Sequence, residues 1–312
     1  RFLSYIRLTE SSGDQAALKY LNRAGMSPEG LISFFRKLQE KHGLVTGEGA
    51  EYTRTHPLTA NRIAALENEA KKSPYFGRNW PPQWQEDYDR MQAKLLGFLQ
   101  PGHVIWTYSE SDTSIAAEYA RAIADYRQGN TKESLSRLAE LIGREPENPY
   151  FYELKGQVLV DDGRVSQALD PYRKAVSLDP KAGLIRIALA HALIESAGHS
   201  PENPAMNDSP ENAANNTGTG SGPLDEAITH LKEAARYETR SPRLHRLFAT
   251  AYGRQGQTGV ARLHLAEEAV LRRNWATALQ HARSAENMLE EGQREHLQAL
   301  DLINFIENHR EG

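Results

Sequence analysis

Apolar residues recur at helical spacing along most of the chain, and that pattern predicts an all-α protein. From Tyr5 to Ala24 the stripe Ile6, Leu8, Ala16, Ala17, Tyr20, Leu21 and Ala24 reads as one helix, interrupted near Ser11-Ser12-Gly13 and stopped by Gly25. Ser27-Pro28-Glu29-Gly30 starts a second helix, with a serine N-cap and a proline in its first turn, and Leu31, Phe34, Phe35 and Leu38 are its expected buried face. It should end near Gly43. A polar loop over 44–54 leads through Thr55-His56-Pro57 into a third helix expected to turn Ile63, Ala64 and Leu66 inward. Ser73-Pro74, Gly77 and Pro81-Pro82 then punctuate a short linker. Beyond it, Trp84, Tyr88, Met91, Leu95 and Leu96 line a helix expected to dock on the helices C-terminal to it.

From about residue 114 onward the chain is periodic. Gly156, Gly163, Ala168, Tyr172, Ala175 and Pro180 mark one helix-turn-helix unit, and stepping back 34 residues from 156, 163, 172 and 180 lands on Ala122, Gly129, Leu138 and Pro146. Stepping forward from 156 and 163 lands on Ala190 and Ala197. Small residues let two helices touch, and proline ends the second because it cannot continue the hydrogen-bond ladder. These offsets resemble the tetratricopeptide repeat, which implies helix pairs stacked as an α-solenoid. Repeats are expected over 114–146, 149–180 and from 181 to about 197. From His199 to Pro223 the chain is nearly all Pro, Asn, Ser, Thr, Gly, Glu and Ala, too poor in apolar surface to offset its ordering entropy, and reads as a disordered insertion. The second helix of the interrupted repeat should resume at Leu224. Ala227 plus 34 reaches Ala261, with Ala249 and Gly256 between them. Helices over 275–289 and 294–309 read as a final pair, the last an amphipathic cap with Leu297, Leu300, Ile303 and Phe305 inward.

Composition narrows the function classes. A formal charge of −4 over 312 residues, with no clustered basic face, argues against nucleic acid as a partner. The absence of cysteine excludes disulfides, thiolate zinc sites and a cysteine nucleophile. No apolar run approaches membrane-spanning length. The opening Arg1-Phe2-Leu3-Ser4-Tyr5 has neither an initiator methionine nor a signal peptide and reads as the interior of an element, so the chain is expected to be N-terminally truncated.

Arg7-x-x-Glu10-x-x-x-Asp14, Ser27-Pro28, Phe34-Phe35, Thr55-His56-Pro57 and Arg62-Ile63 together resemble the M48 family of zinc metallopeptidases. In that family a His-Glu-x-x-His helix supplies two zinc ligands and the general base, and a later glutamate supplies the third ligand. The resemblance implies that Glu10 is that glutamate, with Asp14 beside the ligands. Gly13 stands where the family has alanine, a change that loosens the helix by about 1 kcal/mol without removing a ligand. His56 matches a histidine that can take zinc's fourth position, and Arg62 matches either a scaffold partner of Asp14 or Glu10 or a stabiliser of the transition-state oxyanion; the scaffold role is the expectation. The eleven histidines lie at 42, 56, 103, 191, 199, 230, 245, 264, 281, 296 and 309, so no His-Glu-x-x-His occurs. One Zn²⁺ is implied, needing upstream ligands, and this chain alone is expected to be inactive.

The order of motifs resembles M48 proteins of the periplasmic β-barrel assembly-enhancing type. The C-terminal helical part of a peptidase domain (1–75) is followed by a repeat domain (83–312). The implied function is zinc endopeptidase action in outer-membrane protein assembly and quality control, with the repeats docking outer-membrane proteins or their assembly machinery. The reading from a different class is a non-enzymatic repeat adaptor. Tyr119, Tyr126, Tyr150, Phe151, Tyr152, Tyr172 and Tyr252 are expected mostly in the core. Glu267-Glu268 and Glu290-Glu291 read as solvated surface, because adjacent helical residues point about 100° apart.

Overall fold

The computed structural model describes residues 2–41, 60–198 and 222–310. His56, the 44–54 loop and residues 199–221 of the expected insertion lie outside the described residues. Among those described there are fifteen α-helices, one short 3-10 turn and no strand. The chain divides into two compact units, Arg1–Met91 and Gln92–Gly312.

In the first unit, α1 (Phe2–Arg23), α2 (Glu29–Lys41) and α3 (Ala60–Ala70) enclose a small core of Leu18, Ile32, Leu66 and Ala70, flanked by Leu31, Phe35 and Phe76. α1 runs without a break through Ser11-Ser12-Gly13 and ends where Gly25 takes a φ of +67°, a left-handed turn that glycine adopts without strain. Ser27 Oγ accepts hydrogen bonds from the Glu29 and Gly77 amides at 3.3 and 3.2 Å, tying the start of α2 to the segment after α3. The buried stripes differ in detail from expectation. Ile32, not Phe34, faces inward, and Phe34 keeps 54% of its surface exposed. In α3, Ile63, Leu66 and Ala70 form one stripe at i, i+3 and i+7, which leaves Ala64 on the exposed side.

The second unit takes in the C-terminal half of α4 (Pro82–Leu99), then the short α5 (Val104–Thr107), α6 (Ile115–Arg127), α7 (Thr131–Arg144), α8 (Pro149–Asp161), α9 (Val165–Leu178) and α10 (Gly183–Gly198). After the gap come α11 (Pro223–Ala234), α12 (Pro242–Arg254), α13 (Thr258–Leu271), α14 (Trp275–Met288) and α15 (Arg294–Arg310). From α6 onward each helix packs on the next, so the core is a succession of layers. The helix starts Ile115, Pro149 and Gly183 keep the 34-residue step. Gly129, Gly163 and Gly256 turn the paired helices with φ of +84°, +76° and +76°. The amides next in the chain reach back five residues to Asp125, Leu159 and Tyr252, closing the carbonyl ends of the first helices. Ser114, Asn148 and Ser241 cap α6, α8 and α12 through side-chain oxygens.

Small residues set the helix separations. A Cβ on Gly156 would come within 2.8 Å of the Tyr172 ring, and one on Gly97 within 2.7 Å of Ile123. This corrects the expected docking face of α4: Ala93 and Gly97 are buried against the first repeat with Leu96 and Phe98 beside them, while Trp84, Tyr88, Met91 and Leu95 are exposed. In α15 the inward stripe is Ala299, Ile303 and Ile306; Leu297 and Phe305 lie outside it, and Phe305 packs on His309 with ring centroids 4.0 Å apart. Of the aromatic set, Tyr119, Phe151 and Tyr172 are buried, Tyr126, Tyr152 and Tyr252 half-buried, and Tyr150 exposed.

Gly156→Val is expected to lower unfolding stability by about 1–3 kcal/mol, because added volume at a full contact displaces side chains or backbone. Denaturant unfolding of the variant checks it; an unchanged midpoint would contradict the close-contact account.

Candidate functional site

Glu10 and Asp14 stand four residues apart on α1 and therefore on one face of it. Arg62, in the first turn of α3, reaches that face from the opposite helix. Its Nε and Nη2 donate to Asp14 Oδ2 and Oδ1, both at 2.7 Å, and its Nη1 lies 2.7 Å from Glu10 Oε2. All three side chains are mostly buried, with exposures of 16% for Arg62 and Glu10 and 10% for Asp14. The Phe35 ring of α2 lies 5.3 Å below the guanidinium carbon. Hydrogen bonding to Asp14 holds the Arg62 pKa above its usual value despite burial, with the charge of Glu10 adding to the effect, so the guanidinium stays charged. A cavity of about 310 Å³ lies over this cluster, lined by Glu10, Asp14, Gln15, Asn61, Arg62 and Glu69 among others.

The structure thus brings Glu10, Asp14 and Arg62 into one hydrogen-bonded group; His56 falls outside the described residues. As a metal site the group is partial. Both oxygens of Asp14 are committed to Arg62, and among the described residues the cavity lining includes no histidine. A catalytic zinc takes three protein ligands and an open position. The three residues by themselves fall short of such a site.

The second unit holds charged groups that sequence patterning did not find. Glu267 and Glu268, expected as solvated surface, are each engaged. Glu268 is buried at 3% exposure between Arg246 and Arg272, at 2.7 and 3.0 Å. Glu267 meets His245 and His264 at 2.8 and 2.7 Å. Burial by itself would raise the Glu267 pKa, but hydrogen bonds to the two histidines outweigh it and bring it down to about 2. The His264–Glu267 spacing of i, i+3 was a usable signal; His245, nineteen residues earlier on another helix, gave none.

Half-buried histidines also occur elsewhere in this unit. Burial lowers the pKa of His191, and Arg243 lowers it further against the opposing Glu195 and Asp161. Burial does the same to His230, helped by Arg186 and Arg173 against Glu226, and Arg186 Nη1 lies 3.0 Å from its Nδ1.

Comparison with known proteins divides along the same lines. Residues 1–70 match the sequence model of peptidase family M48, and residues 119–183 match that of the tetratricopeptide repeat. The chain is 23% identical over 201 residues to the β-barrel assembly-enhancing protease of Escherichia coli K12 and 21% identical over 201 residues to that of Yersinia pestis. Each match covers 62% of this chain and 40% of the relative, so the chain spans well under half the length of these proteins. A solved structure of MamA from AMB-1 is 18% identical and covers 61% of this chain and 98% of its own, with a TM-score of 0.45.

Arg62→Ala is expected to cost the first unit about 1–3 kcal/mol, because it leaves the buried Asp14 carboxylate without its two-pronged donor. Thermal unfolding of the variant tests this, and an unshifted transition would show the pairs to be energetically idle. The histidines give a pH dependence of known sign. With folded pKa values below the ordinary 6.5, the unfolded chain takes up protons that the folded chain refuses. Stability is therefore full above about pH 6.5 and declines as the pH falls below it. Urea unfolding at about pH 7.5 and about pH 5.5 should show a smaller drop for a His191→Gln/His230→Gln double variant than for the parent. Equal drops would count against the assignment.

Proposed function

With residues 1–70 matching peptidase family M48 and residues 119–183 the tetratricopeptide repeat, we propose that this chain is part of a zinc metalloendopeptidase whose helical repeats dock protein substrates or partners. The observation that carries the reading is the Glu10–Arg62–Asp14 cluster, formed by three residues within the segment that matches M48 and lining a cavity. Glu10 would hold one corner of the zinc, and the His-Glu-x-x-His ligands and general base would come from residues outside this chain. Zinc held there would supply Lewis-acid polarisation of a peptide carbonyl and activation of a water.

The chain's own residues do the positioning. Arg62 grips Asp14 with two parallel hydrogen bonds, which locks its guanidinium in plane and so fixes the Nη1 that holds Glu10 Oε2. A ligand carboxylate held from behind in this way is pre-aligned toward its metal. His56 is proposed as the ligand that closes zinc's fourth position in the resting enzyme. The protein is further proposed to act in the periplasm on outer-membrane proteins or their assembly machinery, a reading supported by its likeness to the β-barrel assembly-enhancing proteases.

The test uses the complete protein that contains this chain. Glu10→Ala is expected to lose bound zinc and at least ~100-fold of casein cleavage, on the scale of losing a catalytic component. His56→Ala should keep zinc and raise basal cleavage, and the 312-residue chain alone should not cleave. Full zinc and activity in Glu10→Ala would sink the reading, as would a complete protein without His-Glu-x-x-His, which would leave the repeat adaptor instead.

A further inference from the structure

In the second unit, His245 on α12 and His264 and Glu267 on α13 converge on one point. The His245 and His264 Nδ1 atoms are 3.4 Å apart and lie 2.8 and 2.7 Å from the same Glu267 oxygen, Oε2. A triangle with these sides has a circumradius of about 1.75 Å, so an ion about 2.05 Å from all three atoms would sit about 1.1 Å above their plane; that length is the one zinc takes with imidazole nitrogen and carboxylate oxygen. The 3.4 Å nitrogen separation is also close to the edge of a tetrahedron of that bond length, about 3.35 Å. The two nitrogen–oxygen edges, 2.8 and 2.7 Å, are hydrogen-bond lengths and would open by about 0.6 Å to reach the same edge.

The donors are held in place. The His264 ring stacks on Phe248 at 4.5 Å and 10°, and on Tyr252 at 5.6 Å and 9°. Phe248 and Tyr252 stand four residues apart on α12, so one face of that helix presents both rings to the imidazole. Glu267 stands one helical turn beyond His264 on α13, and the α12–α13 turn is pinned by Gly256 in its left-handed conformation. Side-chain exposures of 17%, 18% and 31% for His245, His264 and Glu267 leave the group reachable from solvent.

We propose that His245, His264 and Glu267 form a binding site for a divalent cation of the zinc class, with three protein ligands and a fourth position open to solvent. Two imidazoles and one carboxylate suit zinc over magnesium or calcium, which take oxygen ligands in larger number. The ion joins the two helices of one repeat, and its open position accepts water or a donor atom from a bound polypeptide. This site is separate in sequence from Glu10 and does not depend on the peptidase reading.

The experiment uses the 312-residue chain stripped with a chelator and titrated with zinc by calorimetry, with cobalt absorption as a reporter of four-coordinate geometry. The variants are His264→Phe, which keeps an aromatic ring on Phe248 and Tyr252 but removes the donor, and Glu267→Gln, each verified as helical by circular dichroism. Expected for the parent are one zinc per chain, a tetrahedral cobalt spectrum and a rise in melting temperature on adding zinc. Each folded variant should lose the cobalt spectrum and at least ~10-fold in zinc affinity, a loss that even residues behind a metal's ligands can produce. Equal zinc binding by the parent and a folded variant, no binding by the parent, or binding removed by Glu10→Ala alone would each overturn the proposal.

Discussion

How closely two helices can approach governs most of this structure. At Gly156 the Tyr172 ring lies where a Cβ would be, and at Gly97 the Ile123 side chain does. Ala122, Ala190, Ala227 and Ala251 bury completely in comparable contacts, and Ser134 does so by donating its hydroxyl proton to the Ala122 carbonyl at 2.7 Å. Dispersion and burial reward these contacts only at short range, so added volume at any of them would press a helix pair apart and loosen its layer. The repeated step of 34 residues is the sequence expression of that limit, since each pair has to meet its neighbour through an equivalent set of small positions.

The first unit relies on charge where the second relies on contact. Among the described residues its apolar core is Leu18, Ile32, Leu66 and Ala70, and one arginine joins the two acidic residues of α1 to α3 while lying over an aromatic ring of α2. Such a cluster adds less net stability than an apolar core of equal volume, because three charged groups lose hydration. What it adds is orientation: a two-pronged Arg–Asp pair admits one geometry, and the third guanidinium nitrogen then presents Glu10 in a single pose.

The second unit carries its own polar devices between repeat helices. Arg173 spans to Glu226 with two hydrogen bonds at 2.9 and 2.8 Å, Arg246 and Arg272 enclose Glu268, and Arg254 donates to the Ile194 carbonyl. Two of these bridges, from Arg173 and Arg254, join helices far apart in sequence, and they bind α9 and α10 to the helices that resume after residue 222. Layers in a repeat array contact only their neighbours, so polar bridges of this kind specify which faces meet.

Much of this was determined by sequence alone. The helical class, the 34-residue register, the turn glycines at 129, 163 and 256 and the stop at Gly25 follow from local chemistry: glycine's access to positive φ and the 3.6-residue period act within a few residues of themselves. The grouping of Glu10 with Asp14 was legible too, as four residues make about one helical turn. What only tertiary structure decided was which of several apolar stripes faces inward. In α4 the aromatic residues looked like the docking face, yet Ala93 and Gly97 dock, and at Gly97 the Ile123 side chain comes too close for any Cβ. In α15, Ala299, Ile303 and Ile306 are buried while Leu297 and Phe305 are exposed. The pairing of Glu268 with two arginines, and of Glu267 with a histidine on the preceding helix, was likewise hidden. Charged side chains on a helix look alike in sequence whether they meet water or a neighbour, and the neighbour is chosen by the crossing of helices.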